Sequence, residues 1–127
     1  SGIHRDVYLM AVPKTYIRAY ITANLKPLSY NSGSMQVDFL VANPQGEKYS
    51  KTIKATLIDR GQEVASQQTN VAATGTEEAQ ASVTFEGLSN LQLWSAETPT
   101  LYTVQVSLLD AESGVEEEAF STKYGFR

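Results

Sequence analysis

The sequence predicts an all-β fold, an antiparallel sandwich of about seven strands, and three features indicate it. Between turns, apolar side chains alternate with polar ones, which is typical of strands with one buried face. No run fits the 3.6-residue period of a helix better than a period of two. Turn-forming residues recur about every 12 to 15 residues, a spacing typical of all-β domains, at 31–33, 43–46, 59–61, 74–75, 86–87, Pro99 and 113–114.

Composition limits the possible functions. The 127 residues suffice for one domain with its own core. The absence of cysteine excludes disulfides, thiolate metal sites and a cysteine nucleophile, and the single histidine, His4, argues against a histidine metal cluster or a Ser-His-Asp triad. A net charge of −4 argues against nucleic-acid and anionic-membrane partners. The longest apolar run, 7–13, is too short to cross a bilayer.

The strands follow from the alternation. We expect a first strand over 7–12 and 15–25, bent or broken at Pro13. The other strands are expected at 34–43, 50–59, 62–68, 79–88, 100–110 and 115–124. Seven antiparallel strands in this length indicate an immunoglobulin-like sandwich, with an up-and-down barrel as the alternative.

The acidic residues give no recognisable active site. Glycoside hydrolysis by a carboxylate pair needs two acids about 5 to 10 Å apart, and among 14 Asp and Glu some pair would meet that distance by chance. The densest acidic stretch, 110–118, places Gly114 one position too early for an EF-hand loop. We therefore expect a hairpin turn leading into a charged edge strand, and no catalytic residue, metal or cofactor in this chain.

Three other groups of residues favour ordinary surface roles. The segment His4-Arg5-Asp6 is expected to be exposed, with a weak ion pair. Lys48, Lys51 and Lys54 are expected on a solvated surface, with Lys51 on the strand face opposite the other two. The seven tyrosines fit strands and domain interfaces better than stacking against sugars.

The segment 93–102 carries the most information. It holds the only tryptophan, Trp94, then Pro99, then the pair Leu101-Tyr102 at the start of a strand. We expect a corner in which Trp94 plugs the end of the sandwich, Pro99 fixes the approach to the strand, and the Tyr102 hydroxyl bonds to the backbone, as in a tyrosine corner.

Three segments together resemble one protein family. The chain opens with Gly2-Ile3-His4-Arg5-Asp6-Val7, carries Leu93-Trp94-Ser95-Ala96-Glu97-Thr98-Pro99 before Leu101-Tyr102, and closes with Gly125-Phe126-Arg127. In order and spacing they resemble the immunoglobulin-like domain of glycoside hydrolase family 2, most closely that of the β-galactosidases.

The resemblance implies a role between domains. In this family the sandwich lies between an N-terminal sugar-binding jelly roll and a (β/α)₈ catalytic barrel, and the catalytic glutamates lie in the barrel. It therefore implies that residues 1–127 are a single domain excised from a larger enzyme, whose partners are the flanking domains. The absence of cysteine is compatible with a cytoplasmic or a periplasmic parent and does not distinguish between the two. The structural or interdomain positions it implies are Arg5, Asp6, Trp94, Pro99, Tyr102, Phe126 and Arg127.

The resemblance also concerns one loop of this domain, which corresponds to residues 70–80 here. Some members extend a long loop from this domain towards a neighbouring subunit's active site, but the matching stretch here, 70–80, is short and has no aromatic residue. We do not expect it to make that contact. Two alternatives to the spacer role stay open on sequence alone: a stand-alone carbohydrate-binding module and an adhesion-type immunoglobulin-like domain.

Overall fold

The structure, a computed structural model, describes residues 16–26 and 29–127. This part of the chain forms seven strands, which pair antiparallel in two sheets. One sheet has the order β1-β2-β5 and the other the order β4-β3-β6-β7, so the fold is the predicted sandwich and not a closed barrel. The strands are β1 Tyr16–Lys26, β2 Ser29–Ala42, β3 Tyr49–Asp59, β4 Gln62–Ala73, β5 Ala79–Leu88, β6 Tyr102–Asp110 and β7 Glu116–Tyr124.

The alternation in the sequence becomes the core between the sheets. Apolar residues at every second position of the strands are buried there, because successive side chains of a strand point to opposite faces. The core includes Ile17, Met35, Val37, Phe39, Val41, Ile53, Ala55, Leu57, Val83, Phe85, Val104, Val106 and Leu108.

Most of the predicted turns are confirmed. Arg60 and Gly61, both at positive φ (49° and 81°), form the two-residue turn between β3 and β4, the combination that a type I′ hairpin requires. The Gly46 N–H donates to the Asn43 carbonyl at 3.0 Å, and the Gly114 N–H donates to the Asp110 carbonyl at 2.8 Å.

Two predicted turns are wrong, since both lie inside strands. Residues 31–33 belong to β2, where the Asn31 carbonyl accepts a hydrogen bond from the Leu91 N–H at 2.9 Å. Gly87 lies in β5 at a φ of 64°, where the pairing with β2 shifts by one residue. The glycine therefore supplies a β-bulge instead of a turn.

Several strand limits also differ from the prediction. β2 begins at Ser29 and β4 continues to Ala73, because Val71 still reaches the core. β6 begins at Tyr102 and β7 at Glu116, slightly later than predicted. The predicted segment 7–12 and Pro13 lie outside the described residues.

The chain alternates between two ends of the sandwich. We call the end where β1, β3, β5 and β7 begin the amino end, and the end where they finish the carboxyl end. β7 has nine residues, so the two ends lie about 30 Å apart. The described part of the chain contains no helix long and apolar enough to cross a membrane.

Candidate functional site

The carboxyl end holds four of the predicted site residues in one packed corner. Phe126, just beyond β7, is fully buried at 0% exposure. Its ring meets the rings of Tyr102 and Tyr124 edge to face, with centroids 5.0 and 5.3 Å apart. Such pairs add to the free energy of simple burial, so Phe126 is the aromatic plug at this end.

Trp94 is therefore not the buried plug that the sequence predicted. Its residue is only partly buried, and it lies outside the core cluster. The Trp94 N–H donates to the Phe126 carbonyl at 2.7 Å, and Leu93 forms a parallel bridge with Phe126. Trp94 thus covers and fixes the segment after β7, and Phe126 fills the interior.

Gly125 leaves room for the tryptophan. A Cβ added to Gly125 would stand 2.9 Å from the Trp94 Cβ and 3.0 Å from two of its ring atoms. The Arg127 guanidinium carbon lies 4.4 Å from the centre of the Trp94 ring, a cation–π distance. All three residues after β7 are consequently held by the corner.

Tyr102 makes the predicted backbone contact. Its hydroxyl accepts a hydrogen bond from the Gln92 N–H at 2.8 Å, and the residue is 2% exposed. Pro99 is exposed, three residues before β6, in a segment where the Ser95 N–H donates to the Thr98 carbonyl at 3.1 Å. Arg5 and Asp6 lie outside the described residues.

The amino end is held by polar groups. The side-chain amide of Asn43, 2% exposed, donates to the carbonyls of Glu47 (2.7 Å) and Gly75 (2.9 Å), which joins two loops. The Ile17 N–H donates to Glu118 Oε1 at 3.2 Å, which ties the start of β1 to β7. The Asn43 contacts hold the two loops together, and the bond to Glu118 holds the start of β1.

Lys51 also belongs to this end. It lies on the strand face opposite exposed Lys54, as predicted, but its side chain is only 13% exposed, so the predicted solvated position is wrong. Its Nζ pairs with Glu117 Oε1 at 2.5 Å and lies 5.9 Å from the centre of the Tyr49 ring. Burial raises the pKa of Tyr49, whose hydroxyl has no hydrogen-bond partner among the described residues.

The acidic stretch forms the predicted hairpin turn into an edge strand. The Ser113 N–H donates to Asp110 Oδ2 at 2.9 Å, and the main-chain and hydroxyl groups of Ser113 lower the pKa of Asp110. The Asp110 carboxylate therefore stabilises the turn. Among the described residues, no group of three or more His, Asp or Glu side chains is placed to hold a metal ion.

A shallow pocket of about 410 Å³ lies between β2 and β5. Among its described lining residues the one carboxylate is that of Asp38, whose Oδ1 accepts a hydrogen bond from Gln36 Nε2 at 2.8 Å. These described lining residues do not include the two facing carboxylates that a glycosidase mechanism needs.

Comparison with known proteins gives consistent matches in sequence. The model of the family described as "Glycosyl hydrolases family 2" matches residues 15–127. A β-galactosidase of Streptococcus thermophilus is 32% identical over 126 residues, which cover 99% of this chain and 11% of that protein. A β-galactosidase of Photobacterium profundum is 35% identical over 134 residues, which cover 100% of this chain and 12% of that protein. The chain thus spans little more than a tenth of the length of the curated relatives it matches.

Solved structures share the fold. β-Glucuronidase 2 of Bacteroides uniformis superposes with a TM-score of 0.77 at 20% identity, over 86% of this chain and 13% of that chain. A putative β-galactosidase of Bacteroides fragilis superposes with a TM-score of 0.71 at 25% identity, over 84% of this chain and 16% of that chain. In both, the matching region is a small part of a longer polypeptide.

Proposed function

Because this chain belongs to glycosyl hydrolases family 2, as the resemblance in its sequence indicated, we propose that it is the non-catalytic sandwich domain of a β-galactosidase-like enzyme. In this role it joins an N-terminal sugar-binding domain to a catalytic barrel. Its contribution is geometric: a rigid body keeps the two neighbours at one distance and one angle, so that together they can form a site.

The observation that carries the proposal is the fixed segment at the carboxyl end. Gly125, Phe126 and Arg127 follow the last strand, where a flexible linker would be rich in exposed small or polar residues. Instead Phe126 is fully buried and Arg127 stacks on Trp94. A domain attached after Arg127 would therefore inherit the orientation of the sandwich.

The two ends support the same role. β1 begins at the amino end and β7 finishes at the carboxyl end, about 30 Å away. The hydrogen bond from the Ile17 N–H to Glu118 fixes the start of β1, as the aromatic corner fixes the segment after β7. Two fixed ends on opposite sides of a packed core are what a spacer requires.

The described aromatic side chains do not favour sugar binding by this domain. Tyr102 is buried, while Tyr49 and Tyr124 pack against the core. The large apolar side chains that are exposed in the described region are Val64, Leu101 and Val115, none of which is aromatic. A row of exposed rings for stacking against sugar faces is therefore not formed by these residues.

The proposal is tested by measuring the distance between the two ends. Since the chain has no cysteine, Glu47→Cys and one cysteine added after Arg127 can carry two nitroxide labels without further changes. Pulsed electron paramagnetic resonance should give one narrow distribution of the distance between the two labels, centred at roughly 30 to 40 Å. Trp94→Ala should broaden it, whereas Leu101→Ala, a nearby exposed position, should leave it narrow.

Two results would contradict the proposal. One is a distribution in the parent sequence that is as broad as in Trp94→Ala, since the carboxyl end would then not be rigid. The other is hydrolysis of a nitrophenyl β-galactoside by the chain, or saturable binding of galactose or lactose at millimolar concentration. We expect neither.

A further inference from the structure

The edge strand β4 presents an open row of backbone groups. Among the described residues it is the outermost strand of the four-stranded sheet and pairs only with β3. Apart from that ladder, no backbone hydrogen bond to β4 occurs among the described residues. No backbone group of a described residue therefore bonds to the outward N–H and C=O groups of β4, and such a row of groups can bind another strand.

From Ala65 onwards, β4 also lacks the features that normally protect an edge. From Ala65 to Ala73 it runs nine residues without a charged residue, a proline or a glycine, and its pairing with β3 is regular over this stretch. Lysines, prolines and bulges are the usual means by which edge strands avoid pairing. The single irregularity lies before the stretch, between the pairs of Leu57 and Ile58.

The other edges differ from β4. β7 carries three successive glutamates, Glu116, Glu117 and Glu118. β5 carries Glu86 and the bulge at Gly87, and the Ile17 N–H of β1 is already bonded to Glu118. β4 is therefore the edge of the described sandwich that is most open to strand addition.

We infer that β4 pairs antiparallel with β4 of a second copy of this chain, with Gln68 on the two-fold axis, so that two four-stranded sheets join into one. The register matches like with like on both faces. Beside the Gln68 pair, Ser66 lies opposite Asn70 on the outer face. On the core face Gln67 lies opposite Thr69, and Ala65 opposite Val71. Hydrogen-bonding side chains thus meet each other, and so do small apolar ones.

Charge does not oppose this pairing. Glu63, the only charged residue of β4, falls opposite Ala73 of the second copy. Within the joined β3 and β4 strands, the like charges that face each other directly across the two-fold axis are the two copies of Lys54, which neighbours Gln68 on β3. They lie three strand spacings apart, about 14 Å, beyond the Debye length of about 8 to 10 Å.

The dimer should be weak and closed. One strand pair buries less surface than the roughly 1,200 to 2,000 Å² of a stable interface, so we expect weak binding, with a dissociation constant between about 10⁻⁴ and 10⁻³ M. An isologous contact uses the same edge of both copies. Association should therefore stop at two chains.

The test is sedimentation velocity of the chain from about 10 μM to 1 mM, with charge variants of the two-fold position. Gln68→Lys places two like charges opposite each other and should weaken the dimer about fivefold or more. Gln105→Lys, an exposed position on the inner strand β6, adds the same charge away from the edge and should leave the dissociation constant unchanged.

A charge-swap experiment makes the test specific. An equimolar mixture of Gln68→Lys and Gln68→Glu should restore dimerisation, whereas each variant alone should be weakened. A chain that stays monomeric at 1 mM would overturn the inference. It would also be overturned by equal effects of Gln68→Lys and Gln105→Lys, or by a mixture no tighter than the single variants.

Discussion

The two ends of the sandwich are held by different forces. At the carboxyl end, Phe126, Tyr102 and Tyr124 pack ring against ring, and neutral backbone bonds complete the corner. At the amino end, the contacts are the buried amide of Asn43, the hydrogen bond to Glu118 and the Lys51–Glu117 ion pair. One core joins an aromatic corner to a polar one.

The difference has consequences for stability. Aromatic burial is insensitive to salt and to pH near neutrality, whereas partly exposed ion pairs contribute about 0 to 1 kcal/mol and weaken as salt rises. The carboxyl end should therefore remain in place under conditions that loosen the amino end. In the proposed spacer both ends are fixed, and the junction after Arg127 would be the one less sensitive to salt and pH.

The largest effect is expected from Phe126→Ala. The ring is fully buried and contacts two other rings, so its removal should lower the free energy of unfolding by roughly 3 to 5 kcal/mol. Urea denaturation followed by circular dichroism measures this loss.

Trp94→Ala is the matched comparison at the same corner. Because the tryptophan is only partly buried, its removal should cost less, about 1 to 2 kcal/mol. A larger loss for Trp94→Ala than for Phe126→Ala would show that the tryptophan, and not the phenylalanine, is the plug.

Much of this fold could be predicted because burial leaves a regular trace in the sequence. The period of two in β2, β3 and β6 indicated one buried face, and the alternating apolar residues of those strands are the ones in the core. The contact of the Tyr102 hydroxyl with the backbone was predicted from the segment 93–102, which resembles a tyrosine corner.

What could not be predicted depends on contacts distant in sequence. Trp94 and Phe126 are both large apolar residues near a junction, and only the bridge from Leu93 to Phe126 decides which ring is inside. One signal was present: Phe120 and Tyr124 lie on the inward face of β7, and the same period of two leads on to Phe126. Gly87 was predicted to lie in a turn but lies in a bulge, because turns and bulges both favour a glycine at positive φ.

A smaller difference in stability is expected between variants of one tyrosine at each end, Tyr102 and Tyr49. Tyr102→Phe removes a hydroxyl that accepts the Gln92 N–H and should cost about 1 kcal/mol. Tyr49→Phe removes a buried hydroxyl that has no partner among the described residues, so it should leave stability unchanged or raise it by up to about 1 kcal/mol. Thermal melts of the two variants measure the contrast, and equal losses would contradict it.

The smallest effect is a pH dependence at the amino end. Ser113 lowers the pKa of Asp110 through its main-chain N–H and its hydroxyl, so the folded state binds this proton less readily than the unfolded chain, where the pKa is about 3.9. The resulting stabilisation is fully present above that pH and is lost as the pH falls through the lowered folded value.

Asp110→Asn isolates this contribution, because asparagine can still accept the Ser113 N–H but does not titrate. The difference in urea midpoint between the parent chain and Asp110→Asn should be constant from pH 7 to about 5 and should then shift against the parent chain towards pH 2. Ser113→Ala keeps the main-chain donor and removes the hydroxyl, so part of the shift should remain. A difference that does not vary with pH would mean that the turn holds Asp110 equally well with and without its charge.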